Sequence, residues 1–201
     1  MTDEQQKQQR HKSRQQRLKA EVDKAIAHAT DEKGLLLVIT GNGKGKSTSG
    51  FGTVARAVGH GMRAAVAQFI KGSWDCGERN LLQQHGVTFA VMATGFTWDT
   101  QDKAADIAAA EQVWQQAEQY LADTSIDLVL LDELTYMLSY HYIAVERVER
   151  ALLQRPAQQH VVITGRACHR RIIELADTVS EVQNVKHAFD NGIKAQRGLD
   201  W

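Results

Sequence analysis

Short apolar runs alternate with amphipathic segments along most of the chain. The apolar runs, each short enough for a strand, span residues 35–40, 64–70, 87–93, 127–132 and 160–164. Apolar side chains recur at helical spacing between them, in residues 47–58, 102–121, 143–153 and 168–176. The run at 127–132 is almost wholly apolar, which predicts a strand covered on both faces; residues 178–185 alternate weakly and are predicted as an edge strand. Strands and helices in alternation predict an α/β fold, a mostly parallel sheet with helices on both faces.

Residues 1–30 follow a different pattern. Residues 5–20 hold six basic side chains and no acidic one, and Leu18, Val22 and Ile26 then recur at helical spacing. We predict two segments, a basic and amphipathic N-terminal helix at 1–30 and an α/β domain at 31–201. The helix could be a solvated end, a lid or dimer element, or an arm for nucleic acid. Its lack of aromatic residues for base stacking argues against nucleic acid.

Composition narrows the class of protein further. The 201 residues suit one domain with a buried core, and the formal net charge of zero gives no general attraction to nucleic acid or anionic lipid. The two cysteines, Cys76 and Cys168, form no disulfide framework and fit a reducing compartment. Neither a signal peptide nor a membrane-spanning run is present, so a cytoplasmic location with no membrane partner is expected.

A glycine-rich loop joins the first predicted strand to the first predicted helix. It reads Gly41-Asn42-Gly43-Lys44-Gly45-Lys46-Ser47-Thr48, and its glycines permit the sharp turn that aims backbone N–H groups at phosphate. The helix start adds a positive dipole end, Lys46 a mobile charge for the β/γ-phosphates and Ser47 a hydroxyl for Mg²⁺. The segment predicts a P-loop, although Thr40 stands where the strict pattern has glycine.

Candidate partners of this loop lie at the ends of other strands. Asp132 and Glu133 follow the buried run at 127–132, and Arg166 follows the run at 160–164, where strand ends face the ligand crevice of an α/β sheet. Arg56, on the predicted helix after the loop, is a candidate for ribose or phosphate. These residues fit a hydrolase, a kinase and a motor equally well.

A set of motifs in fixed order is similar to one family. After the loop come Arg-Ala-Val-Gly-His-Gly at 56–61, Ala-Gln-Phe-Ile-Lys-Gly at 67–72, Gly-Phe-Thr-Trp at 95–98, the acidic pair at 132–133, Ile-Thr-Gly-Arg at 163–166 and Lys-His-Ala-Phe at 186–189. Together they resemble the P-loop ATP:corrinoid adenosyltransferases of cobalamin biosynthesis and salvage, over essentially the whole chain. The resemblance implies a RecA-like fold and transfer of the 5′-deoxyadenosyl group of ATP to the Co(I) centre of a corrinoid, with release of triphosphate.

The resemblance also implies roles for particular residues. Residues 41–48, with Arg56 and Arg166, would bind ATP. Ser47 and Glu133 would hold Mg²⁺ or Mn²⁺, and Asp132 would support these ligands without contacting the metal. Phe96 and Trp98 would press under the corrin ring and expel the axial ligand of cobalt. These two residues and Lys46 would be the catalytic residues. A homodimer, an N-terminal helix that covers the partner's site and a flavodoxin-like reductant are implied as well.

Two other functions remain open from the residues alone. One is a P-loop ATPase or kinase of another kind, and the other is a nucleic-acid-dependent RecA-like ATPase that uses the basic arm. The product made from ATP separates them, because only adenosyl transfer releases triphosphate, whereas both alternatives release ADP.

Overall fold

The computed structural model describes residues 3–70, 75–92 and 103–200. The strands are β1 Leu36–Thr40, β2 Ala64–Gln68, β3 Thr88–Val91, β4 Leu128–Asp132, β5 His160–Thr164 and β6 Thr178–Glu181. The α-helices of the described residues are α1 Asp3–His28, α2 Lys46–Gly59, α3 Gly77–Gln84, α4 Lys103–Ala122, α5 Leu134–Ser139, α6 Val145–Gln154 and α7 Arg170–Leu175. Contacts within the chain divide it into two units, Met1–Lys33 and Gly34–Trp201.

The six strands of the described residues pair in parallel. Their order is β3-β2-β4-β5-β1-β6, so the sheet places β4, β5 and β1 side by side near its middle. Parallel neighbours require crossover connections, which the intervening helices supply. The predicted α/β class is therefore confirmed, and the sheet is consistent with a RecA-like P-loop domain.

Alternate residues of the central strands enter two separate hydrophobic cores, one on each face of the sheet. In β4, Val129 and Leu131 pack in the core that includes Trp114 of α4, whereas Leu128 and Leu130 pack in the core that includes Phe51 of α2. Every residue of β4 is buried, as expected for a strand with helices on both faces. Both cores leave the carboxyl ends of β1, β4 and β5 at one common edge.

The sequence pattern missed two short helices. Helix α3 is eight residues long and buries only Leu82, which is too little for a recognisable apolar stripe. Helix α5, with the sequence LTYMLS, is buried at four of its six positions. A short helix that is apolar on most sides shows no amphipathic period, and periodicity cannot distinguish it from a strand.

Several predicted ends also shift. Strand β2 stops at Gln68 rather than at residue 70, and β6 covers only four of the eight residues predicted for the edge strand. The edge position of β6 is as predicted, since β6 is last in the strand order and its neighbour among the described strands is β1. Residues 93 and 102, at predicted element ends, lie outside the described residues.

The N-terminal unit consists mainly of α1, a helix of 26 residues. Every described side chain in it is exposed, and the apolar Leu18, Val22 and Ile26 are exposed by 54%, 48% and 66%. Apolar side chains on a helix normally pack against another element. Across the described residues, no helix is both long enough and apolar enough to span a membrane.

Candidate nucleotide site

The glycine-rich loop turns through two left-handed glycines between β1 and α2. Gly41 has φ +98° just after β1, and Gly45 has φ +117° as the residue that caps the start of α2. Side chains rarely tolerate these angles, which explains the need for glycine at both positions. The loop therefore delivers its backbone to the first turn of α2, where unpaired N–H groups and the helix dipole favour an anion.

Edge strand β6 and its continuation hold the loop from one side. Gly43 donates its N–H to the Val182 carbonyl at 2.7 Å, and Val182 donates to the Thr40 carbonyl at 2.8 Å. A β-carbon at Gly43 would lie 2.5 Å from the Gln183 carbonyl oxygen, so the close approach itself requires glycine. The middle glycine of the loop thus serves packing against β6 rather than an unusual backbone angle.

Thr40 occupies the position where the strict P-loop pattern has glycine. Its hydroxyl accepts a hydrogen bond from the backbone N–H of Cys168 at 3.4 Å. The threonine therefore ties the loop to the segment after β5, and the departure from the pattern has a local structural role.

Lys46, the first residue of α2, is a buried cation at the centre of the loop. Its side chain is only 6% exposed, and Nζ donates to the Gly43 carbonyl at 2.8 Å. Burial lowers the pKa of the Lys46 amine, Glu133 and Asp132 oppose that change, and Arg166 adds to it. These influences show that the two acidic residues and both cations share one small region.

Asp132 is fully buried, and both of its carboxylate oxygens are hydrogen-bonded. Oδ2 accepts from Gln68 Nε2 at 3.0 Å, and Oδ1 accepts from Thr164 Oγ1 at 2.7 Å. The carboxylate therefore links the carboxyl ends of β2, β4 and β5. This arrangement fixes the end of β4, from which Glu133 follows.

Glu133 adopts a left-handed backbone conformation immediately after β4, with φ +60°. Its N–H donates to Thr164 Oγ1 at 3.0 Å, so one threonine fixes both acidic residues. A non-glycine residue at positive φ carries a strain cost and often marks a functional position. Glu133, unlike Asp132, lines the cavity next to the loop.

The cavity at this edge has a volume of about 500 Å³. Its lining residues are 42–48 of the loop, Gly77, Glu78 and Leu81 of α3, Glu133, Arg166, and His187, Gly198, Leu199 and Asp200 near the C-terminus. The structure thus brings together most of the loop with two of the predicted partners, Glu133 and Arg166.

Other predicted residues lie elsewhere. Gly41 turns the chain just before the lining residues. Asp132 is buried and does not line the cavity, and neither does Arg56, which is exposed in the last turn of α2. Phe96 and Trp98 lie outside the described residues.

The cavity is also lined by three ionisable residues that the sequence did not predict as site residues: Glu78, His187 and Asp200. Asp200 Oδ1 forms an ion pair with Lys44 Nζ at 2.5 Å. Only the Lys-His-Ala-Phe motif drew attention to the neighbourhood of His187, and it indicated no role. Nothing in the periodicity of the C-terminal residues indicates that they approach a loop so distant in the sequence.

The oxygen donors of the cavity suit a hard divalent cation. The Ser47 hydroxyl and the Glu133 carboxylate both line it, and Mg²⁺ prefers few protein oxygens together with water and phosphate oxygens. No group of three or more His, Cys, Asp or Glu side chains suited to a metal occurs within residues 3–70, 75–92 and 103–200. Ser47 and Glu133 together fit a cation that also binds phosphate oxygens.

Comparison with known proteins identifies the family. Residues 32–201 match the family model described as ATP:corrinoid adenosyltransferase BtuR/CobO/CobP. A corrinoid adenosyltransferase of Escherichia coli is 62% identical over 192 residues, which are 96% of this chain and 98% of the relative. The corrinoid adenosyltransferase CobA of Salmonella typhimurium is 59% identical with the same coverage, and that of Pseudomonas aeruginosa is 52% identical over the full length of both chains. The chain belongs to the ATP:corrinoid adenosyltransferase family.

Proposed function

We propose that this protein transfers the 5′-deoxyadenosyl group of ATP to the Co(I) centre of a corrinoid and releases triphosphate. The observation that carries the proposal is the cavity in which the glycine-rich loop, Glu133 and Arg166 meet, in a chain of this family. The loop suits a polyphosphate, and the family's chemistry makes that polyphosphate the leaving group.

Substitution at C5′ of ATP needs stabilisation of a departing anion. The bond from C5′ to the α-phosphate oxygen breaks as the cobalt–carbon bond forms, so negative charge develops on triphosphate. The N–H groups of the loop and the Lys46 ammonium can neutralise this charge, and such contacts are strongest where bound substrates exclude water. No water molecule is activated in this reaction, so the protein needs no general base.

The Lys46 ammonium has three N–H donors, so it can bind a phosphate oxygen in addition to its present partner or in place of it. Its Nζ now donates to the Gly43 carbonyl, and a phosphate oxygen is the stronger, charged acceptor. The buried position of Lys46 keeps the ammonium close to the loop N–H groups in both states.

We propose Ser47 and Glu133 as the protein ligands of Mg²⁺ or Mn²⁺, with Asp132 as their support. When bound with ATP, the cation would neutralise part of the triphosphate charge. Asp132 acts through position, because its hydrogen bonds to Gln68 and Thr164 fix the strand end that Glu133 follows.

Further features are proposed on the resemblance. They are ATP contacts from Arg56 and Arg166, corrinoid contacts from Phe96 and Trp98, a homodimer with the N-terminal helix over the partner's site, a flavodoxin-like reductant and a cytoplasmic location. The exposed apolar stripe of α1 supports a role for that helix in packing. Cys76 and Cys168 do not form a disulfide, which supports a reducing compartment.

Product analysis tests the proposed reaction. The protein is incubated with ATP, Mg²⁺ and a corrinoid that has been chemically reduced to Co(I). We expect triphosphate in equal amount with an alkylcobalt product, detected by its absorbance. ADP formation without alkylcobalt would contradict the proposal, and ADP release stimulated by single-stranded nucleic acid would identify a RecA-like ATPase instead.

Glu133→Gln tests the proposed metal role. If Glu133 holds Mg²⁺, the amide should weaken Mg²⁺-dependent ATP binding by about tenfold or more, because it lacks the charge of the carboxylate. Calorimetric titration with ATP in the presence and absence of Mg²⁺ measures the effect. The control is Glu174→Gln, the same charge change on the exposed face of α7.

A different result would indicate hydrolytic chemistry at Glu133. In an ATPase the residue would activate water, so Glu133→Gln would bind ATP tightly with normal Mg²⁺ dependence and fail only in cleavage. Such binding would refute the proposed metal role.

A further inference from the structure

The last described residues form an ordered turn beside the glycine-rich loop. Asp200 donates its N–H to the Gln196 carbonyl at 2.8 Å, and its Oδ2 accepts the Gln196 N–H at 2.6 Å. These two bonds close the turn and orient the Asp200 carboxylate. Gly198, Leu199 and Asp200 line the same cavity as the loop.

The other carboxylate oxygen of Asp200 is bound to a cation of the loop. Oδ1 lies 2.5 Å from Lys44 Nζ, in a pair whose side chains are 47% exposed for Lys44 and 25% exposed for Asp200. The hydrogen bond from Lys44 and the bond from Gln196 hold the pKa of Asp200 below its usual range. The residue therefore presents a full negative charge to the loop at neutral pH.

A carboxylate and a phosphate compete for the same kind of donor. A lysine ammonium binds either through charge-assisted N–H···O bonds, and it binds as a point charge without demanding a particular geometry. Because Lys44 is already paired with Asp200, a polyphosphate that engages Lys44 must displace the carboxylate or share the ammonium with it. The Asp200 carboxylate thus occupies Lys44 as a bound phosphate would.

We propose that Asp200 competes with the polyphosphate for Lys44 and thereby limits the affinity of the site for ATP and for triphosphate. The proposal rests on the proposed function, because it assumes that polyphosphate occupies the loop. In this arrangement Asp200 is a positioning residue that acts through Lys44. Its return to Lys44 also assists the departure of triphosphate, a multiply charged product that a fully cationic loop would retain.

Asp200→Asn is expected to tighten the binding of inorganic tripolyphosphate and of MgATP. A partly exposed ion pair contributes little, so we expect the dissociation constants to fall by about three- to fivefold. Inhibition of the reaction by added triphosphate should increase by a similar factor. Titration calorimetry measures binding, and Asp190→Asn serves as the matched control, an exposed carboxylate of the same segment that does not line the cavity.

A double-mutant cycle with Lys44→Ala separates competition from simple repulsion between anions. If Asp200 acts through Lys44, Asp200→Asn should change tripolyphosphate affinity in the wild-type background and leave it unchanged in the Lys44→Ala background. An equal gain in both backgrounds would mean long-range repulsion and would overturn the proposal, as would weaker binding by Asp200→Asn. Unchanged affinity in Asp200→Asn would also overturn the proposal about Asp200. Failure of the wild-type protein to bind either tripolyphosphate or MgATP would instead refute the proposed function.

Discussion

Replacing Lys46 with alanine is expected to lower the rate of adenosyl transfer by two or more orders of magnitude. The ammonium lies in a buried position at the start of α2, within hydrogen-bonding distance of the loop carbonyl of Gly43. Loss of one donor to a developing anion in such a site costs about 100- to 1,000-fold in rate. Single-turnover kinetics with Co(I) corrinoid and saturating ATP measure the chemical step directly.

The fold should survive this substitution. The hydrogen bond from Lys46 Nζ to the Gly43 carbonyl lies within the loop and not in either hydrophobic core, and alanine is a good helix former at the first position of α2. Arg150→Ala, a charge removal on the exposed side of α6, is the control for general loss of activity. A soluble Lys46→Ala protein with near-normal turnover would disprove the role of this lysine.

Gly165→Ala is expected to destabilise the protein by about 3–5 kcal/mol, the sum of a strained backbone and an overpacked core. Gly165 has φ +136°, and its β-carbon would overlap the hydroxyl of buried Thr135 and lie 3.2 Å from Glu133 Oε2. Because ordinary domains are stable by only about 5–15 kcal/mol, the variant should unfold at a much lower urea concentration. Any folded fraction should also lose activity, since the added methyl group contacts Glu133.

Two further variants separate the clash from the backbone strain. Gly61 also has a positive φ, +79°, but its β-carbon would meet nothing within 4 Å, so Gly61→Ala should cost only about 1 kcal/mol. Adding Thr135→Ala to Gly165→Ala removes the overlapping hydroxyl and should restore part of the stability. Equal urea midpoints for Gly61→Ala and Gly165→Ala would show that the close approach at Gly165 does not limit stability.

The loop and the acidic strand end were predictable because each is contiguous in the sequence. A strand, glycines, Lys46 and Ser47 within a dozen positions have few other structural solutions. The α/β class followed from alternating periods of two and 3.6, which depend only on local geometry. Helices α3 and α5 were not predicted, because a short helix that is mostly exposed or mostly buried shows no helical period of apolar side chains.

The sequence by itself determined the α/β class, the glycine-rich loop and, through its ordered motifs, the resemblance to a family of corrinoid enzymes. Tertiary structure alone decided where each residue of the acidic pair lies. Asp132 and Glu133 are adjacent, yet Asp132 is buried and hydrogen-bonded to Gln68 and Thr164, whereas Glu133 lines the cavity and has a positive φ. It also decided that Asp200 meets Lys44. Such pairings depend on how β1, β4, β5 and the C-terminal turn are arranged in space, and no local pattern records the distance between residues that are far apart in the chain.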